Sequence, residues 1–413
     1  MTLNERLDTE ARGRVPPRER IVVSEPTVTR LGSLAHIECS LGEKRALRVS
    51  VRGPHDLIEG IRPDATAFLP VAVLIAGHEG KDIECRAALD PNYALGLNAN
   101  FAPLMAAFFQ HHCVKVFDGR GGEPDVIAPP RSARSGLLFS AGVDSFYSLV
   151  KMRSFGARPD YLINVNAGGH RNSASEERRR ANVAEVAAKL DVPLALVDTN
   201  FHELFVEQHI KCHPIRHLCG SFALGGWIGA LYYSGGNAYH DISFAEAART
   251  GDISYIEPVE SAGMAPPNLK VLYLGCDAER VEKTRAIGTY PLAQAHLDVC
   301  FDAAYQERRG PGAPMNCGQC MKCIRTIITL DHFGYLDAFE SRFDLAPYRR
   351  NRRALIDHLL SSRKRLNYEA AVLAGTPKSK LLIWKARWAL RAMPLLGLAL
   401  ADLARLWRRT YSA

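Results

Sequence analysis

The sequence predicts an α/β protein with a doubly wound, mainly parallel sheet. From residue 136 onward, short apolar runs with the length of strands alternate with apolar-periodic runs of about 10–16 residues that fit helices. The loop Ser140–Ser145 lies between the first such strand and the first such helix. With 47% hydrophobic and 23% charged residues among 413, the composition is that of a globular enzyme and excludes a disordered chain.

The first part of the chain has a different pattern. Residues 1–20 predict a disordered lead, and residues 21–130 predict a β-rich N-terminal domain. The expected strands there are IVVSEPTV, AHIECS, ALRVSVRG and AFLPVAVLIAG, with a helix at Leu104–Phe109. This region has no recognisable catalytic motif, so substrate positioning and a purely structural role both stay open.

Residues 131–330 predict the doubly wound domain, which follows a linker of Pro, Ser and Arg at 128–135. The expected strands are Gly136–Phe139, Tyr161–Asn166, Leu194–Val197, Tyr239–Ile242 and Lys270–Leu274. The expected helices run from the loop through Met152 and over Ala174–Leu190, Phe222–Tyr233 and Ala278–Ile287. Residues 331–413 predict a mostly helical, basic C-terminal region.

The loop Ser140–Ser145, with the sequence SAGVDS, has the properties of a phosphate site. A turn that leads from a strand into a helix offers backbone N–H groups and the positive end of the helix dipole. Gly142 permits tight backbone angles, and Ser140 and Ser145 add hydroxyl donors. Asp144 beside phosphate indicates an intervening Mg²⁺ ion. The plain alternative is an ordinary helix start rich in Ser and Gly.

SAGVDS resembles the SGGxDS signature of the PP-loop ATP pyrophosphatases, with Ala141 in place of a glycine. The resemblance covers residues 136–330 and implies an adenine nucleotide alpha-hydrolase-like fold that cleaves ATP between its α- and β-phosphates. It implies catalytic roles for Asp144, Ser145 and Lys283, the last in the place of a family lysine that reaches the phosphates. The ATP-binding residues that it implies are Ser140, Ala141, Gly142, Val143, Asp144, Ser145, Asn166 and Arg280. For Arg280 and Lys283 the alternative is a solvated helix face.

Four of the ten cysteines are grouped, since Cys300 precedes the closely spaced Cys317, Cys320 and Cys323. Four thiolates can enclose a tetrahedral Zn²⁺ ion with no open position, which is the arrangement of a structural site. An iron–sulfur cluster and four unrelated buried thiols are the alternatives. The run CGQCMKCIRT resembles the zinc site of 7-cyano-7-deazaguanine synthase, and more closely an uncharacterised group of bacterial PP-loop proteins with an NCGxCxKCxRT run. The other six cysteines are expected to be small buried residues in a reducing compartment.

Three further sets of residues are weaker candidates for contacts with adenine, substrate or metal: Asn164, Asn166, Gly168, Gly169 and His170; Cys212, His213, His217 and Cys219; Ser243, Glu246 and Glu257. The first set follows the second strand, where the family places adenine and substrate, although a polar strand end explains it equally. The second set is compressed and interrupted by Pro214, which favours a substrate contact by His217 over a second metal site. The third set follows a predicted strand and could face the substrate.

The positive charge is concentrated at the end of the chain. Residues 349–413 hold 15 Lys/Arg and 3 Asp/Glu, a net charge of +12, whereas residues 1–348 hold 37 and 41, a net charge of −4. The segment 379–413 interleaves three tryptophans with Lys and Arg, which suits a helix in a membrane interface. Packing on the protein itself or on the mate in a homodimer is the alternative.

The start of the chain is charged and lacks the apolar core of a signal peptide. No segment offers about 18 uninterrupted apolar residues, so a spanning helix is not expected. These observations predict a cytoplasmic protein, with peripheral contact at the inner face of the membrane if the tail binds lipid.

The motifs together favour an ATP-dependent adenylating enzyme that converts ATP to AMP and pyrophosphate. A carboxylate or carbonyl oxygen would be activated for attack by ammonia or an amine, and a small acid or a cell-envelope glycan is the expected substrate. One alternative is a tRNA-modifying PP-loop enzyme that thiolates or aminates a base, with RNA held by the basic tail. Another is a non-catalytic nucleotide-binding regulator, which Ala141 would permit. The expected cofactors are ATP, Mg²⁺ and structural Zn²⁺.

Overall fold

The computed structural model describes residues 18–352 apart from 63, 121–131, 169–172, 208 and 311. The chain divides into two units after residue 347, and the strands described here belong to the first. Residues 1–17 of the predicted lead, part of the predicted linker and most of the predicted tail, including 379–413, lie outside the described residues. None of the helices described is long and apolar enough to cross a membrane.

The first unit is an α/β structure built on one mixed, mostly parallel sheet. Six strand pairs are parallel and four are antiparallel. The strands are β1 (Arg20–Val23), β2 (Thr27–Leu31), β3 (Leu34–Leu41), β4 (Arg45–Arg52), β5 (Asp82–Cys85), β6 (Val116–Asp118), β7 (Ser135–Leu138), β8 (Tyr161–Asn166), β9 (Leu194–Thr199), β10 (Ala230–Ser234) and β11 (Lys270–Leu274). Their order is β11-β10-β7-β8-β9-β4-β3-β1-β5-β6, and β2 pairs with β3.

The α-helices lie between these strands along the chain and after the last of them. They are α1 (His55–Gly60), α2 (Leu69–Glu79), α3 (Pro91–Gly96), α4 (Ala102–Phe109), α5 (Val143–Ser154), α6 (Ser173–Leu190), α7 (Phe201–Leu204), α8 (His209–Phe222), α9 (Phe244–Thr250), α10 (Glu257–Met264), α11 (Arg280–Ile287), α12 (Pro291–His296), α13 (Ala303–Arg308) and α14 (Met321–His332). A π-helical turn at Leu97–Phe101 joins α3 to α4.

The two regions that the sequence separates near residue 131 share this sheet. Strand β4 of the first region pairs antiparallel with β9 of the second, with Val49 opposite Thr199. The Asn200 side chain extends the junction, because it accepts from the Arg48 N–H at 2.8 Å and donates to the Ala46 carbonyl at 2.8 Å. The N-terminal region is therefore continuous with the rest of the sheet, and its described residues form four α-helices beside six strands.

Strand β7 occupies the position where the chain changes direction within the sheet. From β7 the chain continues to β8 and β9 on one side, and it then returns to β10 and β11 on the other side. All four of these strand pairs are parallel, so the carboxyl ends of β7 and β10 lie side by side. In α/β sheets such a reversal opens the crevice in which ligands bind.

The prediction of a strand at AFLPVAVLIAG is wrong, because this segment forms helix α2. Residues 69–77 are all buried, so the run carries no periodicity that would separate a buried helix from a buried strand. Two local signals favour the helix: Pro70 lies in its first turn, and Gly80 ends it with a left-handed φ of +70°.

Two predictions between β9 and β11 are also wrong. The expected helix Phe222–Tyr233 is instead the end of α8, a turn and strand β10, because Gly225, Gly226 and Gly229 interrupt the helix before the aromatic strand residues begin. The expected strand Tyr239–Ile242 is a short 3-10 helix over Tyr239–Asp241. The other predicted strands and helices of residues 136–287 are present within a few residues of their expected bounds.

Candidate functional site

The loop Ser140–Ser145 connects β7 to α5 at the point of strand reversal. Gly142 is the N-cap of α5, and its carbonyl accepts from the Phe146 N–H at 3.0 Å. The Ser145 hydroxyl donates to the same carbonyl at 3.1 Å, and the Ser140 hydroxyl accepts from the Gly142 N–H at 3.3 Å. The loop is thus a closed turn whose serine side chains are held against its own backbone.

Ala141 has an unusual backbone conformation for a residue with a side chain. Its φ is +58°, in the left-handed region, where an alanine costs about 1–2 kcal/mol relative to its ordinary conformations. The residue is fully buried, and its carbonyl accepts from the Asp298 N–H at 2.9 Å. A glycine would adopt this φ without strain. The bond to Asp298 therefore holds a loop conformation that alanine does not favour.

Two cations share one carboxylate beside the loop. Asp144, in the first turn of α5, forms an ion pair with Arg280, and its Oδ1 lies 3.4 Å from Lys283 Nζ. Burial opposes ionisation of this carboxyl, but Arg280 and then Lys283 outweigh it and hold the pKa of Asp144 below its usual value. These three side chains together carry a net charge of +1 beside the loop, which attracts an anion.

Lys283 is the most constrained member of this group. Its side chain is fully buried, and Nζ donates to the carbonyls of Gly235 at 2.7 Å and Gly236 at 3.3 Å, just after β10. A capping box between Glu279 and Glu282 fixes the start of α11, which carries the lysine. The ammonium group is therefore held between the loop after β10 and the first turn of α5.

Glu257 and Glu260 of α10 are buried acids, and Glu257 contacts Gly236, which Lys283 also contacts. Glu257 accepts from the Gly236 N–H at 3.1 Å and lies 3.5 Å from His213 Nε2. Glu260 is fully buried, and neither of its carboxylate oxygens has a hydrogen-bond partner among the described residues. Burial, and then the neighbouring Glu257, raise the pKa of Glu260 well above its usual value. Sequence reasoning missed Glu260, because a Glu in a short polar helix carries no local signal.

The other strand-end candidates have local partners. Asn164 donates to the Phe139 carbonyl at 2.9 Å, next to the loop. Asn166 donates to Asp198 at 3.1 Å and accepts from the Gly168 N–H at 3.2 Å, so it lies at the carboxyl ends of β8 and β9. Gly169 and His170 lie outside the described residues.

Ser243 and Glu246 have structural contacts away from the loop. The Ser243 hydroxyl caps α9 by accepting from the Glu246 N–H at 3.2 Å, and the Glu246 carboxylate pairs with Arg249 at the surface. These contacts explain both residues without a ligand.

The four cysteines predicted as metal ligands come together. The sulfurs of Cys300, Cys317, Cys320 and Cys323 lie within 4.8 Å of one another, and three of these residues are buried. Four sulfurs bonded to one zinc ion at about 2.3 Å are about 3.8 Å apart. The Cys317–Cys323 and Cys320–Cys323 separations of 3.8 and 3.4 Å are close to that spacing. The cluster could therefore hold a structural metal such as zinc.

The second cysteine and histidine set does not form a comparable group. Within the part of the chain that the structure describes, only the four-cysteine cluster brings three or more potential ligand atoms together. Cys212 and Cys219 are fully buried, and burial raises the pKa of Cys212 to about 11. His213 Nε2 lies 3.5 Å from Glu257, and the rings of His213 and His217 are neighbours with centroids 6.1 Å apart.

Lys322 was not predicted from the sequence and lies between the two candidate sites. It follows the cluster residue Cys320 in the first turn of α14, which packs against α11. Desolvation by nearby protein atoms, and then the positive charge of Arg280, lower the pKa of Lys322, although the residue is still exposed to solvent. No carboxylate of a described residue pairs with it, and its nearest aromatic contact is Phe301, at 5.9 Å.

No protein-family model matches the chain, and no curated protein matches it either.

Proposed function

We propose that this chain is a PP-loop ATP pyrophosphatase that transfers the adenylyl group of ATP to a carboxylate or carbonyl oxygen. The observation that carries the proposal is the fully buried Lys283, whose ammonium shares Asp144 with Arg280 beside a strand-to-helix loop. Burying an ammonium group is costly unless an anion balances it. One carboxylate against two cations leaves charge for the anionic phosphates of ATP.

The fold supports a nucleotide at this position. The half-sheet β11-β10-β7-β8-β9 has the strand order of a mononucleotide-binding fold, with its reversal at β7. Right-handed crossovers, which are nearly universal between parallel strands, would place helices on both faces and give the doubly wound arrangement. Asn166, at the carboxyl end of β8, is then on the side of the crevice where a nucleoside would extend.

The proposed roles follow from the positions of the donors. The loop amides from Ala141 to Ser145 and the hydroxyls of Ser140 and Ser145 would bind the β- and γ-phosphates. The acceptor oxygen attacks the α-phosphorus while the bond from that phosphorus to the bridging oxygen breaks, and pyrophosphate leaves with the bonding electrons. Arg280 and Lys283 would stabilise the charge that develops on this leaving group.

The second step needs no covalent enzyme nucleophile. Ammonia or an amine attacks the activated carbon, AMP leaves, and the nitrogen loses a proton to give an amide or a related product. Holding the adenylate and the amine together supplies much of the rate enhancement. A small acid or a cell-envelope glycan is the proposed acceptor.

The two metals differ in how well the described residues fit them. The four cysteines fit structural Zn²⁺, which would stabilise the segment around residues 297–323. For Mg²⁺ the loop offers a single carboxylate, Asp144, which is already paired with Arg280 and Lys283. Mg²⁺ would shield phosphate charge when bound with ATP, and no step above depends on it.

Pyrophosphate exchange tests the proposal. Purified protein is incubated with ATP, labelled pyrophosphate and pools of carboxylates, and AMP formation is measured after addition of ammonia or amines. Exchange should depend on an acceptor and should fall at least a hundredfold in Lys283→Met. Lys270→Met, at the exposed start of β11, is the matched control. Thermal unfolding of both variants verifies that they fold.

One outcome would reject an adenylating enzyme, and another would reject the proposed role of Lys283. If wild-type protein binds ATP but never forms AMP with any acceptor pool, the non-catalytic regulator is favoured. If exchange persists in folded Lys283→Met, the lysine does not serve the leaving group.

A further inference from the structure

We propose that the four-cysteine site controls the nucleotide loop, so that metal binding at the cysteines and nucleotide binding at Ser140–Ser145 are cooperative. The physical link is Asp298, which acts as a positioning residue between the two sites. This inference rests on the proposed function, because it requires that the loop binds phosphate.

The first part of the link is the hydrogen bond from Asp298 N–H to the Ala141 carbonyl, at 2.9 Å. The Ala141 carbonyl and the Gly142 N–H belong to one peptide plane, so fixing the carbonyl also fixes where this amide points. The Gly142 N–H donates to the Ser140 hydroxyl at 3.3 Å in the structure, and in the proposed function it would donate to a phosphate instead. Ala141 has a left-handed φ of +58°, which an alanine keeps only when surrounding contacts hold it.

The second part of the link joins Asp298 to the cysteine cluster. Asn316, which precedes Cys317 and is fully buried, accepts from the Val299 N–H at 2.7 Å and from the Cys300 N–H at 3.0 Å. The same side chain donates to the Leu297 carbonyl at 2.9 Å. The backbone on both sides of Asp298 is therefore bonded to the segment that carries three of the four cysteines.

Arg179 of α6 also connects Asp298 to the cysteine cluster. Its guanidinium pairs with the Asp298 carboxylate at 3.3 Å and also donates to the Cys300 carbonyl. The Asp298 side chain is 1% exposed, so this ion pair is shielded from solvent. One arginine thus holds both the residue that bonds the loop and the first cysteine of the cluster.

These contacts predict how metal loss would spread. Without a metal, Cys300 loses its metal-mediated bonds to the other three cysteines, and the segment from 297 to 300 then depends on hydrogen bonds such as those of Asn316, Arg179 and Arg342. Ala141 would then lose the partner that maintains its conformation, and the loop would present fewer aligned donors to phosphate. Binding at one site of a protein typically changes affinity at a second site by about 5–150-fold. Because a single backbone hydrogen bond would be lost here, we expect a change in ATP affinity of about tenfold.

The direct test measures ATP affinity by calorimetry in the full chain, first loaded with zinc and then stripped by a chelator. A non-cleavable α,β-methylene ATP analogue keeps the measurement at equilibrium. Zinc removal should weaken binding about tenfold, and the analogue should strengthen zinc binding by the same factor, because linkage is reciprocal. Circular dichroism establishes whether the stripped protein is folded.

If the zinc-stripped protein unfolds, a variant at Arg179 tests the coupling in the zinc-loaded protein instead. Arg179→Met should retain one zinc per chain and weaken ATP binding about fivefold. It should also speed amide hydrogen exchange at residues 139–145 and 296–300 in protein without nucleotide. Loss of a direct charge contact with phosphate would leave that exchange unchanged. Arg158→Met, at an exposed arginine that contacts only the Asp191 carbonyl among the described residues, is the matched control.

The results separate this inference from the proposed function. Absence of ATP binding in the zinc-loaded wild type would reject the proposed function itself. Equal affinity in folded zinc-loaded and zinc-stripped protein would overturn the coupling and leave the proposed function standing. Where stripping unfolds the chain, unchanged ATP affinity and unchanged exchange in zinc-loaded Arg179→Met would overturn it equally.

Discussion

The ammonium group of Lys283 lies 3.4 Å from the carboxylate of Asp144, which joins helix α11 to the first turn of α5 at the carboxyl end of β10. Arg280, one turn before the lysine, contacts the other oxygen of the same carboxylate. Because two positive charges share one negative charge, the three side chains carry a net charge of +1. This imbalance favours binding of an anion such as phosphate on physical grounds, independently of the resemblance of the loop to a known motif.

Asp144→Asn should destabilise the fold and abolish productive ATP binding. The substitution keeps the shape of the side chain but leaves Lys283 buried without its counterion, which costs about 3–5 kcal/mol. Urea unfolding measures the loss, and pyrophosphate exchange should fall in parallel. Asp56→Asn, at an exposed acid in α1, should change stability by no more than about 0.5 kcal/mol. Equal stability of Asp144→Asn and wild type would contradict the ion-pair assignment.

Glu260→Gln should stabilise the protein at neutral pH. The pKa of Glu260 is raised, so between its ordinary value of about 4.3 and its higher folded value the native state holds a proton that the unfolded chain has released. Stability of the wild type therefore falls as pH rises through that window. Glutamine does not ionise, so the variant does not lose stability in this window. Its stability advantage over the wild type should therefore grow with pH.

Chemical denaturation of Glu260→Gln and wild type between pH 4 and pH 8 gives this difference directly. Glu59→Gln, at an exposed glutamate, is the control and should show a flat difference. A constant or shrinking advantage of Glu260→Gln with rising pH would mean that the carboxyl ionises freely in the folded protein.

Cys320→Ser should remove the bound metal and destabilise the chain by several kcal/mol, since structural zinc sites contribute on the order of 10 kcal/mol to folding. Metal content by mass spectrometry should fall from one zinc per chain to near zero. Cys113→Ser, at an exposed cysteine outside the cluster, should retain the metal. Iron in place of zinc would support the cluster alternative, and no metal in wild type would reject the site.

Ala141→Gly should preserve ATP binding and change stability by less than about 1 kcal/mol. Glycine relieves the left-handed strain at this position, and the greater freedom of the unfolded chain offsets part of the gain. Ala184→Gly, in the exposed face of α6, should instead cost about 1 kcal/mol because it only loses helix propensity. Thermal unfolding compares the two. An equal loss in both variants would mean that Ala141 is not strained.

Lys322→Ala should weaken ATP binding about fivefold and leave metal content unchanged. The side chain is an exposed cation near Arg280 without a carboxylate partner among the described residues, so its charge is available to the phosphates. The salt dependence of ATP binding, measured by calorimetry, should become shallower. Lys270→Ala is the matched control, and equal affinities of the two variants would exclude Lys322 from the site.

Local sequence patterns determined much of this protein. The alternation of apolar runs identified strands β7, β8, β9 and β11 and helices α5, α6 and α11, since periodicity reports which face of an element is buried. The SAGVDS loop and the cysteine spacing were recognisable because their chemistry depends on residues close together in the chain. A uniformly apolar run such as Leu69–Glu79 carries no such period, and its helix could not be told from a strand.

Only the tertiary structure shows which residues that are distant in sequence come into contact. The pairing of β4 with β9 merges the N-terminal region into the main sheet, and no local pattern in either strand specifies its partner. The same holds for the bond between Asp298 and Ala141 and for the placement of Lys322 near Arg280. Such contacts are set by how whole helices and strands pack, and packing brings together residues that are dozens to more than a hundred positions apart.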